Sequence, residues 1–169
     1  PLARWVAARP DDFRARTLLA DAYQLDGRRD LAISQYERLA AEGGAGFAAL
    51  NNLAWLYYET GDGRAEATAR RAYDLASDNP AVADTYGWIL VEKGKVADGL
   101  AVLTRAAAKA PENPDIRFHH AAALARSGEI RRALEILEAV LASTPAFASR
   151  AAAEQLRSQL VSGQGAGAK

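Results

Sequence analysis

The sequence predicts an all-α solenoid of antiparallel helix pairs, closed at its C-terminal end by a capping helix. Three columns of small residues carry that prediction. Ala20, Ala54, Gly87 and Ala121 follow one another at intervals of 34, 33 and 34 residues. Gly27, Gly61, Gly94 and Gly128 keep the same three intervals, and Ala32, Ala65, Gly99 and Ala133 run 33, 34 and 34. A fixed period in this range means one supersecondary unit copied along the chain, stacked because no single copy buries its own apolar face. Such a plan favours an elongated surface that holds a partner over a pocket that transforms a substrate.

Each period reads as two amphipathic helices. Residues 1–9 begin in mid-element: Leu2, Trp5 and Val6 have helical spacing and Pro10 ends the segment. They are expected to be the remnant of a helix from a preceding repeat, and the chain to be a piece of a longer protein. Helix 11–26 follows, with Phe13, Leu18, Leu19 and Tyr23 apolar, and stops at Gly27. Helix 29–42 carries Leu31, Ala32, Tyr36 and Leu39 and ends at the glycine run 43–46. The next pair is 47–60, closed by Gly61, and 64–76, ended before Ser77-Asp78-Asn79-Pro80. Then come 81–93 (to Gly94) and 96–109 (to Pro111-Glu112-Asn113-Pro114), and last 115–127 (to Gly128) and 130–143 (to Pro145).

The punctuation alternates for a physical reason. Glycine closes each first helix, where a left-handed C-cap is wanted. Asn-Pro opens the third and fourth pairs, because proline suits a first helical turn and cannot continue the helix before it. No segment alternates with period two, so no sheet is expected. Residues 146–161 place Ala148, Ala152, Leu156 and Leu160 along one side and polar residues elsewhere, the pattern of a capping helix with one wet face. Residues 162–169 are small and polar and are expected to be disordered.

Composition narrows the function classes. Lys plus Arg equals Asp plus Glu at 21 each, so the basic excess of a nucleic-acid binder is absent. No apolar run approaches the roughly 20 residues that span a bilayer, so no membrane insertion by this segment is expected. The chain has no Cys, which excludes disulfides and thiolate metal sites.

The repeat resembles the tetratricopeptide repeat, whose 34-residue period carries W-x₂-L-G-x₂-Y, A-x₃-F and a closing Pro. The first motif stands here as Arg16-x₂-Leu19-Ala20-x₂-Tyr23, Leu50-x₂-Leu53-Ala54-x₂-Tyr57, Ala83-x₂-Tyr86-Gly87-x₂-Leu90 and Arg117-x₂-His120-Ala121-x₂-Leu124. The second stands as Ala32-x₃-Tyr36, Ala65-x₃-Ala69, Gly99-x₃-Leu103 and Ala133-x₃-Leu137, with Pro10, Pro111 and Pro145 in the closing slot. The resemblance covers residues 10–145 as about four repeats. It implies a right-handed superhelix that binds a protein or peptide segment in a concave groove without enzymatic activity or cofactor. A narrower run, Leu50 to Tyr57 with Asp78-Asn79-Pro80 and Asp84 to Leu90, resembles bacterial repeat lipoproteins linked to PEP-CTERM/exosortase sorting and exopolysaccharide export. That likeness implies a periplasmic or outer-membrane-associated parent and admits a polysaccharide partner; without it a cytoplasmic setting stands.

Side chains with chemistry read mostly as structural. His119 and His120 are adjacent on a helix and point about 100° apart, so they cannot grip one metal as an i, i+4 pair can. His120 shares the column of Leu19, Leu53 and Tyr86 and should be buried. Asp11, Asp12, Asp62, Asp78 and Glu112 fall at helix starts and joints, where carboxylates cap amides and meet the positive end of the dipole. The resemblance also implies which residues face the groove, since the position after the small residue of each first helix lies there. Asn51, Trp55, Tyr58, Asp84, Trp88 and Phe118 then form a stripe of aromatic and polar side chains suited to a peptide. Two other readings stand beside it: the tryptophans pack as core, and the chain is an architectural spacer. The Lys/Asn/Arg set that clamps a C-terminal carboxylate is missing, since Thr17, Asp21, Asp84 and Trp88 occupy those positions.

The N-terminal end generates a first expectation. Apolar surface on Leu2, Trp5 and Val6 should promote end-to-end self-association at high concentration. Light scattering over a concentration series is expected to detect it for the native chain and not for Trp5→Glu.

Overall fold

The structure, a computed structural model, describes the backbone of residues 1–166 and the side chains of residues 1–163. The described residues form ten helices and no strand. Helix α1 (Leu2–Ala8) precedes four pairs: α2 (Phe13–Leu25) with α3 (Arg29–Ala41), α4 (Phe47–Glu59) with α5 (Ala65–Leu75), α6 (Pro80–Glu92) with α7 (Val96–Lys109), and α8 (Pro114–Arg126) with α9 (Ile130–Ser143). Helix α10 (Arg150–Ala166) follows. The paired helices end within two residues of the boundaries read from the sequence. Helix α10 starts later than 146 and continues past 161 into the segment expected to be disordered; of that segment, residues 167–169 lie outside the described residues. The chain divides into two compact units, Pro1–Ser77 with α1 to α5 and Asp78 onward with α6 to α10.

Helix ends follow from local sequence. Gly27, Gly61, Gly94 and Gly128 all take positive φ, from 71° to 91°. Each sits at C′ of a Schellman turn: the next amide donates back to Tyr23, Tyr57, Leu90 or Leu124 at 2.8–2.9 Å. Asn79 and Asn113 are N-caps, their side-chain oxygens accepting from the second and third amides of α6 and α8, with Pro80 and Pro114 in the first turn. Asp12 caps α2 through the Ala15 amide at 2.9 Å.

In the first unit, Val6 of α1 packs with Ala15 and Leu19 of α2, flanked by Leu2 and Tyr23. Helix α1 thus packs on α2 through Val6, while Trp5 stays 47 % exposed. The Trp5 ring is nevertheless held: its Nε1 donates to Asp12 at 2.9 Å and Arg9 lies over its face. Tyr36 is fully buried, and its hydroxyl donates to Asp21 on α2 and accepts from Asn52 on α4. Burial and the Asp21 carboxylate both push its phenol far above the usual range. Arg16, in the slot of the motif's bulky first residue, is buried and donates to the Pro10 carbonyl at 2.8 Å and to Gln35 at 3.2 Å.

The small-residue columns sit where paired helices cross. Ala20, Ala32, Ala54, Ala121 and Ala133 are all 0 % exposed. The third pair goes further, with glycine on both sides. A methyl group added at Gly99 would lie 2.6 Å from the Gly87 carbonyl oxygen and 2.5 Å from Val91 Cγ2. One added at Gly87 would lie 2.8 Å from Leu103 Cγ. Helices α6 and α7 therefore touch backbone to backbone, and α6 is buried continuously from Val82 to Val91.

Gly99→Ala should lower the unfolding free energy by about 1–3 kcal/mol through overpacking, although alanine gains about 1 kcal/mol in helix propensity. Gly87→Ala should lose less, because its new methyl meets chiefly the Leu103 side chain rather than main chain. Urea melts of the two variants check the order; a Gly99→Ala midpoint at or above the native one would refute the close crossing.

Candidate functional site

In the first unit, α4 carries Asn51, Trp55 and Tyr58 one turn apart, on the face opposite its buried Leu53, Leu56 and Tyr57. All three are half-buried. The Trp55 and Tyr58 rings tilt against each other with centroids 5.3 Å apart. Asn51 Oδ1 is buried and finds no hydrogen-bond partner among the described residues. A buried acceptor left in this state favours any donor that reaches it. The reverse face is satisfied: Tyr57 donates to Glu37 at 2.7 Å, and Arg64 stacks on the Tyr57 ring while pairing with Glu37 and Asp62.

In the second unit, Asp84, Trp88 and Phe118 are buried at 9, 8 and 7 % exposure, which corrects the expectation of an open stripe at these positions. The reason is the packing of α8 against α6. His119 reaches across from α8, its Nδ1 lying 2.9 and 3.0 Å from the two Asp84 oxygens. Only a protonated Nδ1 can face a carboxylate at that distance, so this nitrogen is the donor. The imidazole also stacks on the Trp88 indole, centroids 4.4 Å apart and planes 21° from parallel. Phe118 closes the cluster at 6.1 Å from Trp88.

One edge of that cluster stays accessible. Trp88 and Phe118, with Ala122 and Ala125, form one side of a groove of about 320 Å³, and Leu156 and Leu160 of α10 form the other. Arg126 completes the rim. Its guanidinium pairs with Glu92, donates to the Val91 carbonyl at 3.2 Å and lies 5.4 Å from the Trp88 ring centre, so its charge is already matched. What the groove offers is apolar and aromatic surface on an ordered frame. Sequence reasoning singled out Trp88 and Phe118 but missed Arg126, Leu156 and Leu160, which line the same groove.

The remaining titratable groups read as structural. His120 is buried with its Nε2 3.2 Å from Thr104 Oγ1. Burial first, and then the nearby Arg132 charge, push its pKa below the ordinary 6.5. Asp62 is held down to about 2, mainly by its hydrogen bonds from Arg64. Asp78 is lowered by Lys109. Among the described residues no group of three His, Cys, Asp or Glu side chains could hold a metal ion, and no helix is long and apolar enough to cross a membrane.

Comparisons with known proteins agree with this architecture. Residues 90–160 match the tetratricopeptide-repeat family model. A 55-residue stretch is 47 % identical to the TPR repeat-containing thioredoxin TTL4 of Arabidopsis thaliana, covering 32 % of this chain and 8 % of the plant protein. Among solved structures, that of the APC/C hetero-tetramer Cut9-Hcn1 superposes on 96 % of this chain and 32 % of its own with a TM-score of 0.81 and 16 % identity. YrrB, a tetratricopeptide-repeat protein described as having an unusual peptide-binding site, superposes on 85 % of this chain and 75 % of its own with a TM-score of 0.70 and 15 % identity. The family likeness thus rests on residues 90–160, and the chain has the all-α solenoid fold of these tetratricopeptide-repeat structures.

Two measurements check the buried histidines. The His120 ring, followed by NMR, should titrate below 6.5. Because its folded pKa is depressed, its contribution to stability is complete above the unfolded value and fades as pH falls below 6.5. Asp84→Ala should cost about 1–3 kcal/mol by orphaning the His119 donor. Adding His119→Phe, which keeps a ring against Trp88, should recover part of that loss; a double variant as unstable as the sum of the singles would rule out the pairing.

Proposed function

We propose that this chain is a non-enzymatic protein–protein interaction scaffold that holds a peptide or protein segment on the faces of its first helices. The tetratricopeptide fold supports the scaffold role. The observation that carries the finer reading is the groove of the second unit, whose aromatic side is ordered by the Asp84–His119–Trp88 cluster before any partner arrives. Preorganised aromatic surface gives large contact area at little entropic cost. Its size and matched charge suit one or two large apolar side chains rather than an acidic tail. In the first unit, Asn51 Oδ1 supplies an acceptor for a main-chain N–H, beside the rings of Trp55 and Tyr58.

The peptide-binding site described for YrrB supports this use at the level of fold alone. An envelope role in protein sorting or exopolysaccharide export rests on the Leu50–Tyr57 likeness, and a polysaccharide would then suit the half-exposed Trp55 and Tyr58. An architectural spacer is the competing reading, and it requires both patches to bind nothing.

Panning a random-peptide display library on the full chain tests the proposal. Peptides with paired apolar anchors should be enriched, and Ala125→Glu, in the groove wall, should weaken them by at least about tenfold. Asp98→Asn, on exposed α7 surface, should leave them unchanged. No enrichment, or equal binding to Ala125→Glu, would favour the spacer.

A further inference from the structure

We propose that the distal half of α10 is a displaceable gate on the second unit's groove, holding in cis the place of an incoming amphipathic helix. The polar anchors of the helix among the described residues lie at its start. At its start, the Ser149 amide donates to Asp115 at 2.8 Å, and Arg150 donates to the Leu141 and Thr144 carbonyls at 3.2 and 2.7 Å. Ala153 is fully buried. Beyond it, no residue from 154 to 163 is buried, and the Ser162 hydroxyl donates to the Ser158 carbonyl within the helix itself.

What keeps the distal half in place is Leu156 and Leu160, half-buried against the groove side formed by Trp88, Phe118, Ala122 and Ala125. Their i, i+4 spacing puts both on one helix face. The contact is loose, because about 320 Å³ remains open between the leucines and the aromatic side. A segment with polar anchors at one end and two half-buried apolar contacts at the other opens locally at low free energy, unlike α6 or α8. The chemistry of the displacing partner follows from what it replaces: a helix with large apolar residues four apart and polar residues elsewhere, able to fill the groove more fully than two leucines do. The gate stands on the geometry of α10 alone; its exchange with a partner rests on the groove reading above.

The test uses the full chain and, as probe, a labelled synthetic peptide of residues 150–163. In hydrogen exchange, amides of residues 157–163 should exchange at least about 100-fold faster than those of residues 121–124 in α8. The Leu156→Asp/Leu160→Asp chain should bind the peptide at least about tenfold more tightly than the native chain, where the tethered helix competes at high effective concentration. Ala125→Glu should speed exchange in α10 yet bind no peptide, and circular dichroism melts establish that each variant is folded. Protection in α10 equal to that in α8 overturns the gate whatever the groove binds. Equal peptide affinity for the native and double-Asp chains overturns the exchange. Fast exchange together with capture by the double-Asp chain upholds the gate even if the library selection yields nothing, so the two proposals fail separately.

Discussion

Close approach of paired helices is the constraint on which the rest of this architecture depends. Where α6 crosses α7, Gly87 and Gly99 bring two backbones together so tightly that either added methyl group would overlap the partner helix. In the other pairs alanine occupies the crossings, with Ala20, Ala32, Ala54, Ala121 and Ala133 all fully buried. With crossings pinned by small residues, large side chains fill the flanks: Tyr36, Leu39, Leu103, Leu124 and Leu137 are buried beside them. The face turned away from the crossing is then released from packing duty, and on that face α4 can present Trp55 and Tyr58.

In the second unit that outer face is only partly released. Helix α8 leans on α6 and brings His119 to Asp84, so a buried polar pair organises the aromatic cluster from beneath. Neither partner could be buried alone without a large desolvation cost, and together they fix the Trp88 ring by stacking and hydrogen bonding. The result is an apolar groove wall with a polar foundation. Substituting the buried Asp84 or His119 would disturb the aromatic wall from beneath.

Much of the fold was legible because it is written in local chemistry. Glycine at C′, Asn-Pro at the helix starts and small residues at the crossings are each one-residue signals with one physical meaning, and they placed the paired helices closely. The site was less legible because it depends on contacts between helices. Trp55 and Trp88 share a column, yet their exposures differ, and what covers Trp88 is Phe118 and His119, some 30 residues downstream. A period of 34 sets Asp84 opposite Phe118; the true hydrogen-bond partner is the next residue, His119, an offset set by how α8 rotates against α6. Helix α10 is a similar case. Its apolar stripe was visible, but which groove Leu156 and Leu160 overhang was not.

The glycines at the α6–α7 crossing also bear on how the third hairpin comes into being. Each lies in a helix interior, where glycine lowers helix propensity by about 1 kcal/mol relative to alanine. Isolated helices of this length are marginal even with favourable residues. Neither α6 nor α7 is therefore well placed to form by itself, and the contact that makes both worthwhile exists only when both are present. Secondary and tertiary structure must arise in one step at this point of the chain. The third pair should consequently fold and unfold as an indivisible cooperative unit, while the alanine-paired hairpins retain more freedom to fray helix by helix.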